Sequence, residues 1–170
     1  MSGVLSLSDH GVAGVLAEGP AHGFAIAQAF AREGELGLVW TIQRQQVYRA
    51  LDHLERAGWT EPLRKEVGQG GPARVVYALT PRGEAAVAAW LVTPVERLRD
   101  VRHALLLKVA LLERRGLDVA PLVEAQRQRA EGMVASCESR LPNAVGSERL
   151  VLAWRLESAR ALLAWLAAWR

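Results

Sequence analysis

Arg44, Gln45, Gln46, Tyr48 and Arg49 stand close together in the chain. Arginine and glutamine present paired hydrogen-bonding groups that match base edges, while arginine and tyrosine also reach phosphate oxygens. A second set, Arg64, Lys65, Gln69, Gly70, Gly71 and Arg74, brackets a glycine-rich stretch suited to a hairpin tip. Cations on such a tip can hold a phosphate backbone. The chemistry in both sets is binding, without turnover.

Catalysis finds less to work with. His10, His22, His53 and His103 lie far apart and lack the i, i+4 spacing of a helical metal site, so each reads as a surface or capping histidine. Ser8, Asp9 and His10 contain triad residue types, yet adjacent residues cannot supply triad geometry, and no Gly-x-Ser-x-Gly is present. The run Gly68-Gln69-Gly70-Gly71 lacks the Gly-Lys-Ser/Thr of a phosphate-binding loop. The expectation is a protein that is not an enzyme and uses no cofactor and no metal.

These side chains need elements to hold them. At 170 residues and 51% hydrophobic, the chain can bury a core along most of its length as one compact domain or a small domain with a helical appendage. The net charge is +3 and the isoelectric point about 9.6, which permits a nucleic-acid partner without requiring one. Between residues 41 and 82, seven arginines and lysines face four acids, whereas residues 1–40 are net negative. A solvated helix and hairpin would also carry such a charge. The single cysteine, Cys137, cannot close an intrachain disulfide and reads as a small buried hydrophobe. No apolar run approaches the roughly 18 residues of a membrane span, and residues 1–7 do not read as a signal peptide. A cytoplasmic location without membrane contact is expected.

Apolar spacing predicts a helix over residues 9–17 capped by Ser8, and a second carrying Ile26, Ala27 and Phe30. A third, capped by Thr41, carries Val47, Ala50, Leu51 and Leu54 on one stripe and ends at Ala57-Gly58. Its opposite face holds Gln45, Arg49, Asp52 and Arg56. Two strands follow, residues 59–67 and 74–79, joined by the glycine-rich tip. Thr80-Pro81 then opens a fourth helix with Thr as N-cap. Three helices and a glycine-tipped hairpin are the order of a winged helix-turn-helix, whose third helix enters the major groove.

From residue 93 onward only helices are expected: one ending at Gly116, one over 119–141, and one over 147–169. The fold class is mainly α with a small two-stranded β-wing, divided into a winged helix-turn-helix domain at 1–92 and a C-terminal helical dimerisation or effector region at 93–170. Leu152, Leu156, Ala159, Leu163 and Leu166 form a coiled-coil-like seam. Val151, Ser158, Trp165 and Trp169 form a second stripe beside it. Two stripes suggest a homodimer, the alternative being an intramolecular hairpin with the preceding helix. Six tryptophans are present. Trp90, Trp154 and Trp165 could wall a pocket for a small apolar or aromatic effector, or simply fill core and interface.

Several spaced motifs together point to a family. Gly19-Pro20-Ala21-His22-Gly23-Phe24, Val47-Tyr48-Arg49-Ala50-Leu51 with Leu54-Glu55 and Ala57-Gly58, Gly70-Gly71-Pro72-Ala73-Arg74, and Tyr77 with Leu79-Thr80-Pro81-Arg82-Gly83 occur in that order. Residues 4–92 thereby resemble the PadR family of bacterial transcriptional regulators. The resemblance implies a winged-helix domain binding a double-stranded DNA operator, a helical dimerisation region, and repression relieved by a small effector. It places Tyr48 and Arg49 on the recognition helix, and Gly70, Gly71 and Arg74 on the wing. Phe24 stands where the family often has Tyr, and a phenyl ring cannot donate a hydrogen bond to phosphate. The alternative function is a winged-helix module used for protein contact instead of DNA binding.

Overall fold

The computed structural model describes residues 5–66 and 73–169. Gln69, Gly70 and Gly71 lie outside the described residues. The chain forms two compact units, Met1–Leu91 with Leu106–Leu117, and Val92–Leu105 with Asp118–Arg170.

In the first unit, α1 (Leu7–Leu16) starts two residues earlier than the apolar spacing suggests, with Ser6 as its N-cap. The buried Asp9 carboxylate accepts from the Ser6 amide at 2.7 Å and hydroxyl at 2.9 Å, and the Asp9 amide donates back to Ser6 Oγ at 3.2 Å. This reciprocal box outcompetes Ser8 because it satisfies donors at both positions. A short strand, β1 (Ala21–His22), leads into α2 (Gly23–Ala29), whose cap is the His22 Nδ1, accepting from the Ala25 amide at 3.0 Å.

Next comes α3 (Arg44–Arg56), which buries Val47, Ala50, Leu51 and Leu54 on the predicted stripe. Its N-cap is Gln43; Thr41, expected there, instead donates weakly to the Gly37 carbonyl at 3.4 Å. Gly58, at φ +71°, ends the helix in the left-handed region. The antiparallel strands β2 (Thr60–Glu66) and β3 (Arg74–Leu79) follow, and β1 pairs with β3, giving the order β1-β3-β2. The sheet therefore has three strands, one more than expected, because a two-residue strand is too short to show alternation. The outer strand β2 carries Pro62 and an irregularity in register between Pro62 and Arg64. Then α4 (Pro81–Val92) starts on Thr80, whose hydroxyl accepts from the Gly83 amide at 3.1 Å and donates to the Gly58 carbonyl at 2.7 Å.

The helix expected to end at Gly116 is subdivided into α5 (Leu98–Asp100), a π-helical stretch (Val101–Leu105) and α6 (Leu106–Arg114). Although it follows residue 92 in sequence, α6 groups with the first unit. The reason lies in α1: a Cβ at Gly14 would stand 2.4 Å from Leu111, and one at Gly11 would stand 3.2 Å from Leu107. Two side-chain-free positions let the buried leucines of α6 approach the α1 backbone, and the Arg114 guanidinium forks onto Glu18 at 2.6 and 2.7 Å.

The second unit is built on α7 (Ala120–Arg140) and α8 (Gly146–Ala167), joined through a 3-10 turn (Leu141–Asn143) into a hairpin. Leu152, Leu156, Ala159 and Leu166 are buried within the chain, joined by Leu162, whereas Leu163 is half-buried. Cys137 is buried with Ala144, Leu152 and Leu156. The fully buried Gln126 of α7 acts as a surrogate strand, its Oε1 accepting from the Val95 amide at 2.7 Å and its Nε2 donating to the Val95 carbonyl at 3.2 Å.

Lys108 of α6 is buried, with its Nζ 4.9 Å from the Trp90 ring centroid, and burial holds its pKa down at about 8. The unfolded chain keeps that proton up to the ordinary lysine value of 10.5, so between these values the unfolded state binds more protons and stability rises with pH. His10, whose ring stacks on Trp90 at 5.0 Å, is lowered from 6.5 by burial and titrates below this window. Melting temperatures from pH 7.5 to 10.5 are expected to rise for the native chain relative to Lys108→Met; parallel curves would refute the shift.

Candidate nucleic-acid interface

Burial of the α3 stripe leaves Arg44, Gln45, Gln46, Tyr48 and Arg49 exposed along the N-terminal half of the helix. Their roles then separate. Gln46 is partly engaged at home, its Oε1 accepting from the Gln43 amide at 3.0 Å as part of the helix cap. Gln45 and Arg49 project from the opposite face to the buried stripe and are the freest to meet a partner.

Arg44 is held by rings. Its guanidinium carbon lies 5.4 Å from the Phe24 centroid and 5.7 Å from that of Tyr48. Arg74, at the start of β3, stands 5.1 Å from the same Phe24 ring. Phe24 thus orients one guanidinium from α3 and one from β3, each contact contributing about 0.5–1 kcal/mol at a solvated site. Sequence reasoning saw only that Phe24 cannot donate to phosphate; the signal available was an aromatic side chain between two basic segments.

Gly23 makes the arrangement possible. A Cβ there would stand 2.8 Å from the Tyr48 ring and 3.2 Å from Leu51, so only glycine lets α3 lay Tyr48 against the start of α2. The adjoining His22 caps α2, and the two residues fix where Phe24 emerges.

On the wing, Lys65 is exposed opposite Val75. Arg64 is less free, its Nε donating to the Glu66 carboxylate at 2.9 Å, and Glu66 in turn stands opposite Arg74 in the register. Among the described residues no three His, Cys, Asp or Glu side chains converge as a metal site would require, and no helix is long and apolar enough to cross a membrane. Trp90 belongs to the first unit beside His10 and Lys108, Trp165 packs edge-on against Trp169 at 5.7 Å, and Trp154 stands 62% exposed on α8.

Residues 12–89 match the family described as "Transcriptional regulator PadR-like family". The Mycobacterium tuberculosis protein "Probable transcriptional regulator Rv1176c" is 31% identical over 97 residues, which is 57% of this chain and 50% of that one. The chain thus spans half the length of that curated relative. The crystal structure of Bacillus subtilis PadR in complex with operator DNA superposes with a TM-score of 0.52 at 20% identity, covering 98% of this chain and 97% of that one. At that identity the likeness is one of fold.

The contacts with the Phe24 ring are testable without a ligand. In proton spectra the Arg44 and Arg74 side-chain resonances are expected upfield of their ordinary positions through the Phe24 ring current. Phe24→Leu should return both toward ordinary values and Phe24→Tyr should retain the shift. A Leu variant that moves neither resonance would remove Phe24 from the site.

Proposed function

We propose, from the match of residues 12–89 to the PadR-like family and the winged-helix fold, that the chain is a sequence-specific double-stranded-DNA-binding transcriptional repressor acting as a homodimer. The observation that carries this reading is the exposed row Arg44, Gln45 and Arg49 on the N-terminal half of α3, flanked by Lys65 and Arg74 of the wing. That half of a recognition helix is the part that reaches base edges in the major groove. Arg49 and Gln45 read bases, Arg44 and Tyr48 hold adjoining backbone, and Lys65 and Arg74 anchor the wing on phosphate.

Two-fold DNA sites ask for a two-fold protein. With Leu152, Leu156, Ala159 and Leu166 spent inside the chain, the surface of α8 left for a second copy centres on Leu150 and Val151, 74% and 46% exposed. Release from DNA by a small effector acting on the helical unit completes the reading, through a preference of the ligand for one of two arrangements of the dimer.

Fluorescence anisotropy against the duplex upstream of the chain's own gene and a scrambled control, at two salt concentrations, tests the reading. The native duplex should bind more tightly. Arg49→Ala should cost about 1–3 kcal/mol and relax sequence preference, whereas Lys65→Ala should weaken all duplexes alike and reduce the salt slope by about one. Absence of any binding at low salt would favour a protein-contact module. In sedimentation the chain should run at twice its 18.6 kDa, and Leu150→Glu should return it to the monomer. A native monomer at micromolar concentration would remove the dimer.

A further inference from the structure

Within the second unit, the segment leading into α5 and the faces of α7 and α8 enclose an open cavity of about 810 Å³. Five arginines line it, Arg97, Arg99, Arg129, Arg140 and Arg155, against one lining carboxylate, Glu96. Three of the five have acidic neighbours: Arg129 is 3.4 Å from Glu96, Arg140 is 2.9 Å from Glu148, and Arg99 is 3.9 Å from Asp100. Among the described residues no carboxylate lies within 4.0 Å of Arg97 or Arg155. Gathering two uncompensated guanidiniums at one concavity raises the local potential and favours an anion there.

Two further features describe the rest of the ligand. Trp154, 62% exposed, is part of the wall and offers a flat indole face. Gly132 sits in the interior of α7, where glycine weakens a helix relative to alanine. A Cβ there would meet nothing within 4 Å, so the chain's own packing does not require the glycine. Gly132 also lines this cavity, so the open space beside it is available to a ligand.

We propose that this cavity is a binding site for a small dianion on a flat aromatic body, of the class of aryl or nucleoside monophosphates. The arginines Arg97 and Arg155 take the two charges by forked hydrogen bonds, the indole of Trp154 covers the ring, and the bare Gly132 leaves room for it. The volume falls within the range of small-molecule sites, roughly 300–1,000 Å³. Use of the site as the effector switch rests on the DNA-binding reading above, whereas occupancy by such a ligand does not.

Calorimetric titration of the full chain, in the absence of DNA, with phenyl phosphate, adenosine 5′-monophosphate and benzoate tests it. At least one phosphate should bind saturably and at least ten-fold tighter than the monoanionic benzoate. Arg97→Gln and Arg155→Gln should each weaken that binding about ten-fold. Gly132→Leu keeps every charge and adds a better helix former, so it should abolish binding while leaving the melting temperature unchanged or raised. The proposal falls if no probe binds saturably, or if the variants bind as the native chain does, which would be adventitious association with a basic surface. It also falls if the three variants alter only the sedimenting mass, which would make a second copy the occupant. Operator binding measured in parallel reports separately on the regulator reading.

Discussion

What α3 offers to a partner follows from burying one stripe of it. Val47, Leu51 and Leu54 are 0–1% exposed, and each such side chain contributes roughly 1.5–3 kcal/mol on leaving water. Contacts on the outer face, such as the Arg56 Nε donating to the Asp52 carbonyl, are solvated and contribute a few tenths. The apolar stripe therefore decides the rotation of the helix, and the rotation decides that Arg44, Gln45 and Arg49 point outward. A polar face chosen for its partner needs no help from its own hydrogen bonds to be presented.

Presentation is then refined by aromatic contact. An exposed arginine samples many rotamers, and ordering one on binding costs about 0.5–1.5 kcal/mol. Rings beside Arg44 and Arg74 spend part of that cost before a partner arrives. The Phe24 ring is thereby one platform serving two elements, and the bare Gly23 beside it leaves room for the Tyr48 ring.

Much of this was legible in the sequence, and its limits have physical causes. The α3 stripe, both long strands, the Thr80-Pro81 helix start and the Pro142 break follow local rules of period and capping, and they recur in the structure. Helix starts at Ser6 and Gln43 escaped because the choice among neighbouring caps depends on which side chain finds a reciprocal partner. Strand β1 escaped because it exists only by pairing with β3. The place of α6 depends on contacts between Gly11, Gly14, Leu107 and Leu111, almost a hundred residues apart in the chain, and nothing local announces them. On α8 Leu162 is buried in place of Leu163, a choice between adjacent leucines that depends on what packs against the helix and not on its spacing. The arginine cavity was invisible because its residues come from three segments, none of them unusual alone.

The strand order β1-β3-β2 leaves β2 with one side unpaired. Such an edge invites another strand to add to it, the first step toward aggregation. Here Pro62 withholds an amide, the register breaks before Arg64, and Arg64, Lys65 and Glu66 crowd the remainder with charge. The cations suited to a phosphate backbone thus also keep the wing from polymerising. A wing neutralised by substitution would lose this protection, so binding measured on such a variant needs low protein concentration to be read apart from aggregation.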